Sequence, residues 1–168
     1  MSTYPFRLIA ALALAALPLT AAAQTTGPII PLPLRPLIPA EWRGCTQTTP
    51  SGLGYSELRA GSGARPVGDD YVLIDYIGYL ATDGAVFDQG QRSAMGLGNV
   101  IEGFAEGLRL MPVGSIYRLC VPPALAYGDA GQGPIPAGSA LVFQIELVDK
   151  RSLAELEAAQ AQQGAPQQ

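Results

Sequence analysis

Histidine is missing from all 168 residues of the chain. Its absence removes the commonest general base, every His-ligated metal site, and both the Ser-His-Asp and Cys-His routes of nucleophilic catalysis. Cysteine is nearly as scarce, with Cys45 and Cys120 alone. Two thiols cannot build a four-thiolate zinc site, and a catalytic thiolate is not expected without an imidazole to activate it. Charge is thin as well: 14% of residues are charged, the net charge is -4, and there is no basic run. A mildly acidic chain without a basic stripe does not read as a nucleic-acid binder.

Apolar residues and proline are what the first forty positions do contain. Residues 1–23, MSTYPFRLIAALALAALPLTAAA, carry a positive start at Arg7, an apolar run from Leu8 to Leu19, and the small residues Ala21-Ala22-Ala23. This is the pattern of a secretory signal peptide cut near Ala23/Gln24. The run is short for a bilayer span, which needs roughly 20 apolar residues. No cysteine follows the cut that could carry a lipid, so no stable membrane anchor is expected and the exported chain is assigned to the periplasm or the medium. That compartment is oxidising, which makes Cys45 and Cys120 candidates for a disulfide, with their Cα separation to decide. Residues 24–47 read as a Pro-rich linker, with five prolines in GPIIPLPLRPLIPA (27–40). Residues 48–150 form the expected domain, and 151–168 an Ala/Gln-rich tail with a short frayed helix.

Within the domain, period-two alternation marks strands. Tyr71–Leu80 sets Val72, Ile74 and Tyr76 on one side. Ser115–Val121 sets Tyr117, Leu119 and Val121 inward, with Arg118 and Cys120 outward. Ala140–Asp149 sets Leu141, Phe143, Ile145 and Leu147 inward, with Gln144 and Glu146 outward. A further short strand is expected over 53–58, and Asp83-Gly84 is a hairpin turn. Ile101, Phe104, Ala105 and Leu108 fall on one helical stripe, weakened by Gly103 and Gly107. The fold class that follows is α+β: a curved antiparallel sheet wrapped around one short helix.

Five motifs then occur in order: TPSGLGY (49–55), DYIGYLATDGAVFD (75–88), LGNVIEGFAEGL (97–108), PVGSIYRLCVPPALAYG (112–128) and IPAGSALVFQIELV (135–148). Together they resemble the FKBP-type peptidyl-prolyl cis-trans isomerases across residues 48–149. The resemblance implies a half-barrel with an aromatic pocket whose walls are Tyr76, Phe87, Val100, Ile101, Tyr127, Ile135 and Phe143, with Phe104 as floor. It assigns catalytic roles to Asp88, Tyr127 and Phe143, and places Asp88 in a polar network with Tyr127. It implies no cofactor, Xaa-Pro segments of folding exported proteins as substrate, and macrolides as inhibitors. With no heptads in the Pro-rich extension, a monomer is expected.

The residue types suit that chemistry on physical grounds. Rotation about an Xaa-Pro amide meets a barrier of roughly 18–20 kcal/mol from C–N double-bond character. The twisted state has lost resonance and carries less charge on its oxygen, so an apolar, desolvated cage favours it over the planar amide. No covalent step or metal is needed. A rival reading keeps the pocket but not the turnover: a chaperone module that binds proline segments. A third makes the Pro-rich stretch the working part, as a docking tether. Three departures from the family pattern bear on these rivals. The floor is Phe104 where Trp is common; the loop between Asp88 and Leu97, QGQRSAMG, is short, with Arg92 a candidate neighbour of Asp88 and Ser93 or Met95 near the wall; and Gly133-Pro134 is an unusual pair in the loop 128–138.

Overall fold

Alternation becomes strand wherever the sequence carries it cleanly. The computed structural model describes residues 37–163. Its elements follow as β1 (Gln47–Thr48), β2 (Gly54–Arg59), β3 (Tyr71–Leu80), β4 (Val86–Gly96), α1 (Glu102–Leu110), β5 (Ile116–Val121), β6 (Leu141–Arg151) and α2 (Leu153–Gln163). The expected signal peptide, most of the Pro-rich stretch and residues 164–168 lie outside the described residues. The strands form one open sheet in the order β1-β2-β5-β6-β3-β4, with every neighbouring pair antiparallel. This is the α+β architecture the patterns predict.

The inner face gathers Val72 and Ile74 of β3, Leu119 and Val121 of β5, and Leu141, Phe143, Ile145 and Leu147 of β6 into one core with Phe104 and Leu108 of α1. The glycines that weaken α1 as an isolated helix are what let it dock. A Cβ on Gly103 would meet Val121 Cγ1 at 2.5 Å, and one on Gly107 would collide with the Leu119 side chain. The helix axis therefore lies directly against β5. About 1 kcal/mol of propensity per glycine is offset by packing that no larger residue permits.

The outer face is covered as well. Ile77, Tyr79 and Val142 point outward and are almost fully buried, because residues 37–46 lie across them. Ile38 is 1% exposed there, and Trp42 packs beside it. The Tyr79 hydroxyl donates to Trp42 O at 2.8 Å, and Arg43 Nε donates to Ile38 O at 2.8 Å. Arg118 and Gln144, outward as predicted, are buried at 2% and 5% exposure, and Arg118 donates to Gly44 O of this strap. The linker reading of 24–47 is thus corrected from Leu37 onward. Apolar Ile77 and Tyr79 leave an outer patch that needs a cover, and Ile38 supplies one. Cys45 and Cys120 are joined, with their Cα atoms 6.1 Å apart, so the strap is also held covalently.

A second correction concerns Gln89–Gly96, predicted as a loop. It continues β4, pairing Gly90 with Tyr76, Ser93 with Ile74 and Gly96 with Tyr71. The alternation is hidden by a bulge in which Gln91 and Arg92 face Asp75 together. Arg92 takes a φ of 49°, and its N–H donates to Asp75 Oδ1 at 2.5 Å. The carboxylate thereby replaces the missing ladder bond. At the other end, α2 begins in a capping box: Glu155 N–H donates to Ser152 Oγ, and Ser152 N–H to Glu155 Oε2.

Candidate functional site

Three phenylalanines from three elements meet edge to face. Phe104 and Phe143 have ring centroids 4.8 Å apart at 69°, and Phe87 and Phe143 are 5.6 Å apart at 86°. Tyr76 adds a fourth ring, 6.3 Å from Phe104 at 76°. Edge-to-face contact sets a positive ring edge on a negative ring face, which fixes the angles as well as the distances. The contact is possible because β3 carries Gly78 opposite Phe143. A Cβ at Gly78 would lie 2.7 Å from the Phe87 ring and 2.8 Å from Phe143 Cε1. Gly78 is a site residue that the periodicity reading passed over. A glycine inside an otherwise bulky strand was the signal.

These rings line a cleft of about 360 Å³. Phe104 and Phe143 are buried at its base, Tyr76 and Phe87 are half-buried walls, and Asp88 and Tyr127 stand exposed at the mouth. Val100 and Ile101 close one side. They are placed by a short 3-10 turn, Leu97–Asn99, anchored by buried Leu97. Ile101 is the N-cap of α1, so its carbonyl accepts from Phe104 and Ala105 while its N–H stays outside the helical bonds. Met95, not Ser93, lines the cleft, and Asn99 joins it without any sequence signal that marks it. A wider cleft of about 540 Å³ beside Val67 and Tyr71 has one ring and gathers no cage.

Ile135 is not among the lining residues. It is 6% exposed and belongs to the core, so its expected place on the wall is corrected to a place behind it. Ile135 follows a tight turn at Gly133-Pro134. Gln132 and Ile135 exchange both backbone hydrogen bonds across it, at 2.9 Å each. Gly133 takes a φ of 54° and proline fixes the next φ negative, the II′ pattern that proline tolerates in this order.

The polar rim also differs from the expected network. Asp88 is bonded by Tyr76, whose hydroxyl donates to Oδ2 at 2.7 Å, and no hydrogen bond joins Asp88 to Tyr127. Nor does an ion pair join Arg92 to Asp88 among the described residues. Burial, then the bond to Asp88 and the charge on its carboxylate, push the Tyr76 hydroxyl well above the usual tyrosine range. It is a fixed donor at any biological pH. Tyr127, 36% exposed, keeps its hydroxyl available at the mouth. No cluster of metal-ligating side chains occurs among the described residues.

A sheet open on one side, one helix laid against it, and an aromatic cage between them with polar groups only at its lip define a site for a small, rigid, apolar group. The family model for FKBP-type peptidyl-prolyl cis-trans isomerases matches residues 63–148, and the chain belongs to that family. It is 44% identical over 106 residues to the FKBP-type isomerase FkpA of Aeromonas hydrophila, an alignment that covers 61% of this chain and 39% of the relative. The crystal structure of FkpA from Escherichia coli superposes with a TM-score of 0.60 at 39% identity, over 63% of this chain and 51% of that one. A peptidyl-prolyl isomerase from Pseudomonas syringae pv. tomato gives 0.60 at 35% identity, over 63% and 80%. The chain thus spans about half or less of the length of the FkpA proteins.

Proposed function

We propose that the chain catalyses cis–trans isomerisation of Xaa-Pro peptide bonds in exported proteins during their folding. The observation that supports this most is the ring cage of Phe87, Phe104 and Phe143, closed at the base and free of charge until Asp88 at the rim. A pyrrolidine ring fits such a cage with dispersion contact on every side. The amide bond ahead of it is lifted from water, which favours the less polar twisted state. Orientation falls to the Ile101 N–H and the Tyr127 hydroxyl as donors to substrate carbonyls. Asp88, held by Tyr76, sets the negative edge against which the carbonyl carbon turns. Catalysis here is selective binding of a distorted amide, so neither cofactor nor metal has a part.

The same reading extends to the wider assignments. The chain works in the periplasm or outside the cell, as a monomer, and its cage accepts macrolide rings in place of proline. The disulfide between Cys45 and Cys120 is in keeping with an oxidising compartment. A protein whose slow refolding phase is a proline isomerisation of tens of seconds provides the test. Catalytic amounts should shorten that phase severalfold. If the phase keeps its rate while aggregation of the refolding protein is suppressed, the pocket is a chaperone site without turnover.

A further inference from the structure

Five large apolar or aromatic side chains stand exposed among the described residues. Scattered singly, they would mean little. Three of them, Val67, Tyr71 and Leu153, line one cleft of about 540 Å³. Convergence of that kind marks a surface that meets something apolar. The cleft adjoins the aromatic cage along one run of chain. Met95 lines the cage, Gly96 and Gly98 line the cleft, Asn99 lines both, and Val100 returns to the cage.

Three neighbouring strands bring the cleft together. Tyr71 of β3 pairs with Gly96 of β4 on one side and Arg151 of β6 on the other. Just beyond Arg151, Leu153 opens α2, held in place by the Ser152–Glu155 capping box. Val67 is fixed from below: its N–H donates to Asp70 Oδ2 at 3.1 Å, and Lys150 Nζ pairs with the same oxygen at 3.3 Å. Asp70 is buried, so its charge is answered within the fold. Gly96 and Gly98 keep the space open. Neither takes a positive φ, so the backbone does not demand glycine at either position. A Cβ on Gly96 would touch Tyr71 Cζ and Asn99 Nδ2 at 3.4 Å, and one on Gly98 would touch Asp69 Cγ at 3.4 Å. A longer side chain at either place would occupy the cleft.

We propose that this cleft is a second substrate subsite, which takes an aromatic or large aliphatic side chain of the same polypeptide whose proline enters the cage. The inference rests on reading the cage as a proline site. Tyr71 offers a ring for stacking, and Val67 and Leu153 offer apolar walls. Asn99, exposed between the two clefts, has an amide that donates to and accepts from the backbone crossing it. Asp69 stands at the rim with its side chain 83% exposed and Arg109 no nearer than 3.9 Å, so an acidic neighbour on the substrate is disfavoured. Unfolded chain presents a proline and a nearby exposed apolar side chain together, whereas a folded surface rarely does.

The test uses the chain from Gln24, the form expected after export, and two peptides. One is Phe-Ala-Gly-Ala-Leu-Pro-Phe-Gly-Ala-Phe; the other has Ala in place of both terminal Phe residues. Binding is read from the NMR signals of Phe143 for the cage and Tyr71 for the cleft, which requires no turnover. The Phe-ended peptide should bind about tenfold more tightly and move both sets of signals, while the Ala-ended one moves Phe143 alone. Leu153→Glu, at an exposed position, and Gly98→Leu should each lose most of that preference. Equal affinities in the parent, or a preference undiminished in both variants, would overturn the inference, and the Phe143 shifts would still uphold the cage. If neither peptide moves Phe143, the proline-site reading falls and the inference with it. Isomerisation is then measured on the same samples, and a binding preference without turnover keeps the subsite and removes catalysis.

Discussion

The Tyr76 hydroxyl holds Asp88 Oδ2 at 2.7 Å, tying the wall of the cleft to its rim. The two residues face each other across β3 and β4, two positions apart in register, where Gly78 pairs with Asp88 and Tyr76 with Gly90. Tyr76→Phe keeps the ring and removes the bond. A hydrogen bond to a charged group contributes about 1.5–3 kcal/mol when buried, and Asp88 is exposed, so the low end applies. Catalytic efficiency toward an Xaa-Pro peptide should fall about 10-fold, with the midpoint of thermal unfolding little changed. Equal efficiency in the two proteins would remove Asp88 positioning from the account.

Three tyrosines give the fold an alkaline limit. Burial raises Tyr79 to about 12, and burial with the bond to Glu57 raises Tyr117 to about 12. Tyr76 is raised as well. Each holds its proton in the folded state above the pH at which the unfolded chain releases it, near 10. Their contribution is therefore complete below about pH 10 and is lost as pH climbs to about 12. Denaturant midpoints should be level from pH 7 to 9 and decline beyond 10. Tyr79→Phe should flatten part of that decline; an unchanged slope would show that Tyr79 does not carry it.

Gly78→Ala should be the most damaging single methyl in the site. Its Cβ would intrude on both Phe87 and Phe143. Overpacking of this kind costs about 1–3 kcal/mol, and here it also splays the rings that form the cage. Folded protein with isomerisation reduced at least tenfold is expected, checked by circular dichroism beside the peptide assay. Full activity in Gly78→Ala would mean the rings need not meet.

The strap predicts redox-dependent stability. The bond between Cys45 and Cys120 closes a loop of 75 residues' separation. Loss of such a link costs about 2–5 kcal/mol. Cys45→Ser, or reductant on the parent, should lower the unfolding midpoint by about 8–15 °C. Because the strap lies on the face of the sheet opposite the cage, isomerisation at low temperature should persist. An unchanged midpoint would mean that Ile38 and Trp42 hold the strap without the link.

Strands β3, β5 and β6 were legible because each keeps its alternation over six residues or more. The α1 stripe was legible for the same reason at helical period. β4 was not, since the bulge at Gln91–Arg92 breaks the period and a side-chain carboxylate completes the ladder. The outer cover was hidden differently. Ile77 and Tyr79 could be seen to point outward, but pairing them with Ile38 requires a contact across some forty residues that no local pattern encodes. Within the site, ring positions came through the family motifs. The bonds did not: whether Asp88 is held by Tyr76 or Tyr127 depends on ångström-scale placement, and so does whether Ile135 lines the cleft or lies in the core.

The measurement that bears most directly on the account is the cis-to-trans rate of an Ala-Leu-Pro-Phe peptide with the parent chain and with Phe143→Ala. Phe143 touches both Phe87 and Phe104, so its loss opens the cage to water. The account predicts strong acceleration by the parent and a loss of at least 100-fold in catalytic efficiency in folded Phe143→Ala, about 2.7 kcal/mol of transition-state stabilisation. Acceleration that survives the substitution unchanged would place the chemistry outside this pocket and contradict the account.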